Sequence, residues 1–213
     1  MKILYKDNDI IVVFKEAGIA VQSSRIGTKD LISELKNTIA ESGSGAPYLG
    51  MVHRLDQPVE GIMVFALNKK SAGELSKEVG GNGMEKIYTA LVTSDVEPSK
   101  SECRLVDYLL QDRKSNSSLI VTEEVKGSKK AELLYSATGR YKSGGYILKV
   151  KLLTGRHHQI RVQLSGHGMP IIGDRKYGGE AASQLMLCAS HLSFLHPLSG
   201  RKMEFDITPS FLS

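Results

Sequence analysis

Lys86-Ile87-Tyr88-Thr89-Ala90-Leu91-Val92-Thr93 alternates so that Tyr88, Ala90 and Val92 fall on one side and Ile87, Thr89 and Leu91 on the other, the period of two that a β-strand imposes. This stretch decides the fold class because four similar runs follow it, at 102–109, 118–122, 130–137 and 146–153, separated by Gly-, Ser- and Lys-rich turns. Upstream, strands at 3–5 and 10–14 flank Lys6-Asp7-Asn8-Asp9 as a hairpin. Leu31, Leu35 and Ile39 recur every four residues and predict a helix over 29–41 with Thr28 as its cap, ended by Ser42-Gly43-Ser44-Gly45-Ala46-Pro47. The apolar run Ile62-Met63-Val64-Phe65-Ala66-Leu67 is too short for a helix and reads as a buried strand. Ser71 and Glu74 have capping-box spacing, which predicts a helix over 72–79 closed by Gly80-Gly81.

Downstream, Ile160 and Leu164 suggest a helix over 157–165 that stops at Gly166-His167-Gly168. Strands at 186–194 and 202–207 are joined by the turn His196-Pro197-Leu198-Ser199-Gly200. The expectation is an α+β fold on a mixed, largely antiparallel sheet flanked by helices and loops, with residues 1–213 forming one domain.

Composition narrows the classes of function. Hydrophobic residues at 41% and charged residues at 24% are those of a folded globular chain. The longest apolar runs fall far short of a membrane-spanning helix. Charges at Lys2, Lys6 and Asp7 stand where a signal peptide would need an apolar stretch. Cys103 and Cys188 stand alone, which argues against a disulfide framework and for the reducing cytoplasm. A monomer is the default expectation, since no heptad is present. The net charge of +5 is modest, but eleven Lys and Arg lie between Lys126 and Lys176 against only Glu132 and Asp174. With Tyr135, Tyr141, Tyr146 and Tyr177 interleaved, such a block suits a polyanion with stackable bases. The bland alternative, a strand face kept wet by basic residues as in Leu148-Lys149-Val150-Lys151, is open on composition alone.

The motifs carry more. His53-Arg54-Leu55-Asp56 lies in a loop just before the buried run, and an Asp there reads either as a turn former or as a nucleophile or base. With Lys15-Glu16-Ala17-Gly18, Lys86-Ile87-Tyr88-Thr89-Ala90-Leu91-Val92, Gly155-Arg156-His157-His158-Gln159-Ile160-Arg161-Val162, Pro170-Ile171-Ile172-Gly173-Asp174, Tyr177-Gly178 and His196-Pro197 in this order, the chain resembles the RluA-type family of pseudouridine synthases. The matches span nearly the whole chain.

The resemblance implies isomerisation of a uridine within structured ribosomal or transfer RNA. The bond from sugar to ring nitrogen breaks, the uracil turns, and the sugar rejoins at ring carbon 5, with no cofactor required. The base must leave its stack, at a cost of a few kilocalories per mole that RNA contacts offset. Asp56 matches the family's catalytic Asp, Arg161 its active-site Arg, expected to pair with that carboxylate, and Tyr88 its active-site Tyr, whose ring can stack on uracil. Arg54 is expected to fill the space left by the flipped base or to grip a phosphate, and Leu55 and Ile160 to wall the pocket against water. Lys86, Arg156, His53, His157 and His158 complete the expected RNA-binding set. His53 and His158 are read as holding the loop and helix by hydrogen bonds rather than titrating. No metal is expected, because the six His are scattered at 53, 157, 158, 167, 191 and 196 with no His-x-x-x-His pair.

Two departures from the family pattern stand out. Val59-Glu60-Gly61 replaces Thr-Ser-Gly, placing a carboxylate near a site that must admit phosphates, and His157 stands where Thr or Ser is common. Two rivals follow: a glycoside hydrolase using Asp56 and Glu60, and a catalytically silent RNA-binding module on the same scaffold. Many relatives carry an additional N-terminal RNA-binding domain; here the catalytic pattern starts within the first 20 residues, and substrate choice is expected to come from this domain or from a partner.

Overall fold

The computed structural model describes residues 1–23, 29–41, 48–81, 83–142 and 144–213. Its elements run β1 (Lys2–Lys6), β2 (Ile10–Lys15), α1 (Leu31–Glu41), β3 (Gly50–Met51), β4 (Glu60–Ala66), α2 (Lys69–Gly80), β5 (Glu85–Val92), β6 (Cys103–Asp112), β7 (Ser117–Val121), β8 (Lys129–Arg140), β9 (Tyr146–Leu152), α3 (Gln159–Gly166), β10 (Leu187–Leu195), β11 (Lys202–Asp206) and a closing 3₁₀ turn (Ser210–Leu212). Every strand pair of described register is antiparallel, and the α+β class follows. Two compact units divide the chain: Met1–Lys86 with Ala189–Ser213, and Ile87–Cys188.

In the first unit the strands lie in the order β1, β2, β4, β10, β11, with β3 also on β4. All seven residues of β4 are buried, as a continuous apolar run with neighbours on both edges requires. Register pairs Ile10 with Ala66, Val12 with Val64 and Phe14 with Ile62. Alternation therefore sends Ile10, Val12, Ile62, Val64 and Ala66 into a core shared with Leu75 of α2 and Phe194 of β10. Each large side chain buried there contributes about 1.5–3 kcal/mol.

The helix caps differ from the sequence expectation. Thr28 and the breaker at 42–47 lie outside the described residues. Asp30 caps α1, its Oδ1 accepting from the Ser33 amide at 2.8 Å and its Oδ2 from that of Ser23 at 2.7 Å. Helix α2 starts three residues earlier than expected, because Asn68 is the cap and accepts from the Ser71 amide at 2.9 Å. Ser71 is thus an interior, fully buried position.

The second unit is an antiparallel sheet in the order β5, β9, β8, β6, β7. Val162 of α3 packs on Leu109 of β6 and Ala131 of β8. That helix begins two residues later than expected. His157 and His158 belong to the turn before it, and His158 takes a left-handed conformation at φ 52°, which is uncommon for a residue with a side chain. Among the described residues, no helix is long and apolar enough to cross a membrane.

Candidate functional site

The loop before β4 is held from below by an ammonium. Alternation along β2 places Lys15 on the face of Ile11 and Val13, and its side chain is 0% exposed. Its Nζ donates to the carbonyls of Glu16 at 3.0 Å, Ile19 at 2.8 Å and Gln57 at 3.0 Å. Burial pushes its pKa down to about 8, while the nearby carboxylates of Asp56 and Glu60 pull the other way. Gln57 completes the tie: its carbonyl accepts from the Gly18 amide and its Nε2 donates to the Gly18 carbonyl, both at 3.0 Å. The Asp56 carbonyl accepts from the Val59 amide at 3.0 Å, so Asp56 opens a tight turn. Asp56 itself is half-buried, Arg54 exposed and Leu55 buried. A partly exposed carboxylate on a loop bolted to the sheet is the arrangement a nucleophile or base needs.

His53 is buried, and its Nε2 accepts from the Val64 amide of β4 at 3.1 Å. Burial, reinforced by Lys86, pushes its pKa down to about 3, so the ring is neutral and ties the loop to the sheet. His53, expected among the RNA contacts, is thereby an interior group instead. Lys86 is itself half-buried, and desolvation lowers its pKa.

Glu60 also departs from expectation. It is 2% exposed and turned inward. Its two oxygens accept from the Ser210 amide at 2.8 Å and the Ser210 hydroxyl at 2.6 Å. The carboxylate thus anchors the closing 3₁₀ turn and is not presented to a phosphate. A glycosidase pair needs two carboxyl groups flanking one sugar, and Glu60 is committed elsewhere. Gly61 follows at φ 140°, where a Cβ would lie 2.5 Å from Ala189.

In the second unit, the Gly155 to Val162 motif is a clamp. Buried Gln159 accepts through Oε1 from the Thr154 hydroxyl at 2.8 Å and the Arg156 amide at 3.0 Å, and donates to the Glu132 carbonyl at 3.0 Å. Arg161, buried on α3, donates from Nε to Asp174 Oδ2 at 2.7 Å and from Nη2 to Oδ1 at 2.8 Å. These bonds use two of its five donors. Its Cζ sits 5.1 Å over the Tyr177 ring. Such a bidentate, stacked guanidinium is fixed in direction. The Tyr177 hydroxyl accepts from the Ser118 amide at 2.7 Å and meets His158 Nδ1 at 2.8 Å. His157 stacks on His158 at 3.8 Å between centroids, and Ser118 Oγ reaches His157 Nδ1 at 3.0 Å. Tyr88 is buried on the face of β5 that also carries Ala90. Ile160 is buried, and Arg156 is exposed with its Nε on the Lys130 carbonyl at 2.8 Å.

Asp56, with His53, Arg54, Leu55 and Lys86, thus belongs to the first unit. Tyr88, Arg156, His157, His158, Ile160 and Arg161 belong to the second. Sequence reasoning assigned no role to Lys15, Asp174 or Ser118. For Lys15 the signal was present, since it continues the buried alternation of β2.

Among the described residues, Asp7, Asp9 and His196, and separately His191, Glu204 and Asp206, bring potential metal-ligand atoms together. The first group is already engaged. His196 Nε2 meets Asp7 Oδ2 at 2.9 Å, while Asp9 Oδ1 accepts from Asn68 at 2.8 Å. That contact also explains the late His-Pro motif, because His196 Nδ1 accepts the Ser199 amide at 3.1 Å and holds the turn before β11.

Comparison with known proteins adds four findings. The family model for RNA pseudouridylate synthase matches residues 9–166. An uncharacterized RNA pseudouridine synthase of Aquifex aeolicus is 34% identical over 222 residues, covering 97% of this chain and 69% of its own; the tRNA pseudouridine synthase C of Vibrio cholerae is 29% identical over 220 residues, covering 92% and 86%. Among solved structures, human RNA Pseudouridylate Synthase Domain Containing 4 superposes with a TM-score of 0.78 at 21% identity, over 99% of this chain and 89% of that one, a likeness of fold.

Proposed function

The chain belongs to the RNA pseudouridylate synthase family, whose members isomerise uridine in RNA to pseudouridine, and from that premise we propose that Asp56 drives this reaction on structured transfer RNA. The observation that carries the reading is the Asp56 loop itself, a half-exposed carboxylate whose backbone is bolted by Lys15 and Gln57. Transfer RNA is preferred over ribosomal RNA because the Vibrio cholerae relative carries that substrate in its name.

In this reading Asp56 acts on the ribose as nucleophile or base while the bond to the ring nitrogen breaks, the uracil turns, and carbon 5 takes its place and loses a proton. Arg161, aimed by Asp174 and Tyr177, supplies the reaction with a cation of fixed direction. Tyr88 faces the ring, with its hydroxyl toward the carbon that gives up hydrogen. Leu55 and Ile160 keep water from the broken-bond intermediate, and Arg54 stands in for the extruded base. Arg156, His157 and Lys86 meet phosphates. His158 supports the turn before α3. Residues 1–213 are read as one catalytic domain, monomeric and cytoplasmic, needing no cofactor.

Transfer RNA and ribosomal RNA labelled with tritium at uridine carbon 5 provide the test. Isomerisation releases the label. Asp56→Asn is expected to cut release by at least about 10³-fold, in the range of lost nucleophile or base function, with the variant still binding RNA. Binding without release by the wild type would instead favour the catalytically silent module, and release from ribosomal RNA alone would reassign the substrate.

A further inference from the structure

We propose that a basic cleft in the second unit is a second RNA contact, a site for the phosphates of the strand outside the reacting nucleotide. The cleft holds about 270 Å³ and is lined by Arg113, Lys129, Arg156 and His157 together with Ser118 and glycines 127 and 155. No carboxylate lines it. The inference rests on the functional reading above and extends it to Arg113 and Lys129, which no motif marks.

Three features select a phosphate chain as the occupant. The first is charge that stays unsatisfied within the protein. Alternation along β8 puts Lys130 and Glu132 on one face, where Glu132 is taken by both Lys130 and Arg104. Lys129 falls on the opposite face. Among the described residues, Arg113, Lys129 and Arg156 pair with no carboxylate, whereas Arg161, Arg104, Lys130 and Arg140 all do. Three unpaired cations converging on one concave surface are an electrostatic footprint for a polyanion.

The second feature is size. At about 270 Å³ the cleft lies below the roughly 300–1,000 Å³ of pockets that enclose a whole small ligand, so it suits a piece of polymer backbone. The third is the lining. It contains no phenyl, phenol or indole ring on which a base could stack, and His157 is already stacked on His158. Contacts here therefore position the strand without reading its sequence. Arg156 is held in place by its Nε bond to the Lys130 carbonyl, and His157 by Ser118. The cleft is thus built on the same turn that leads into α3 and Arg161, which couples strand placement to the guanidinium.

The test compares wild type, Arg113→Ala with Lys129→Ala, and Lys69→Ala with Lys70→Ala, the last pair being exposed residues of α2. Affinity for a transfer RNA transcript is measured from 50 to 400 mM KCl. Each lost phosphate contact removes about 0.7–0.9 from the slope of log K against log salt. The cleft variant is expected to show a slope shallower by about 1.5 and at least tenfold weaker binding at the lowest salt, with a matching rise in KM for tritium release. The α2 variant is expected to follow the wild type. A cleft variant with the wild-type slope overturns the proposal while tritium release by the wild type leaves the functional reading standing. Equal slope losses in both variants overturn it too, since net charge and not the cleft would then be responsible. Absence of RNA binding by the wild type overturns both readings. Circular dichroism of the two surface variants checks that each folds, and Arg113→Lys with Lys129→Arg should restore the slope.

Discussion

Lys15→Met keeps the length of the side chain and removes the ammonium on which the Asp56 loop rests. Three part-buried carbonyls lose the ammonium's hydrogen bonds, the Gln57 carbonyl keeping the Gly18 amide, each at about 1–3 kcal/mol, and Glu60 loses its nearby countercharge. Against this, the wild type carries a desolvation cost of about 3 kcal/mol, from a pKa of about 8 in place of 10.5. The net expectation at pH 7.5 is a loss of about 2–4 kcal/mol in the variant.

The pH dependence is the sharper signature. Between pH 8 and 10.5 the unfolded lysine holds a proton that the folded one has given up. The unfolded state therefore binds more protons, and stability rises with pH across that window. From pH 7.5 to 10, Lys15 should add about 2 kcal/mol to the wild type, and the variant should lack this increment. Urea unfolding at both pH values, on both proteins, measures the difference; Lys86 and the tyrosines titrate in each and cancel. Parallel pH trends in the two proteins, or a variant more stable at pH 7.5, would refute the account of Lys15 as a buried, charged tie.

Asp174→Ala leaves the buried Arg161 guanidinium without its bidentate acceptor, so unfolding free energy should fall by about 3–5 kcal/mol. Combining it with Arg161→Met should recover part of that loss; a single-variant change below about 1 kcal/mol would contradict the geometry. Gly61→Ala introduces a methyl 2.5 Å from Ala189 at a φ of 140°, and thermal unfolding should show a cost above about 2 kcal/mol. An unperturbed melting temperature would mean that the Ala189 backbone gives way there.

Much of the fold was legible locally. The alternations of β5 and β9, the continuous apolar run of β4 and the four-residue stripe of α1 each follow from one short segment meeting one apolar face. Element ends were less legible, because caps depend on which polar group wins a competition for the same amides. Asn68 took the amide of Ser71, and Asp30 bonded both Ser33 and Ser23. The two-residue β3 and the closing 3₁₀ turn have too few residues to show a period and were not foreseen. In the candidate site, the motif order marked Asp56, Tyr88 and Arg161 as the residues to ask about. The reading of His53 as a hydrogen-bonding tie for its loop agrees with its bond to the Val64 amide, but nothing in the motif revealed that Glu60 faces inward.

By itself, then, the amino-acid sequence determined the family and the antiparallel α+β architecture, and it singled out Asp56, Tyr88 and Arg161 as candidates, because these are written in nearest-neighbour spacing and in motif order. Tertiary structure alone decided which charges are matched. Glu60 finds Ser210 from 150 positions away, Lys15 reaches Gln57 across 42, and Lys130 is neutralised by Glu132 while Lys129, one residue earlier, is not. The reason is physical: a charge is costly or available according to what surrounds it in space, and those surroundings come from chain segments that no local pattern connects.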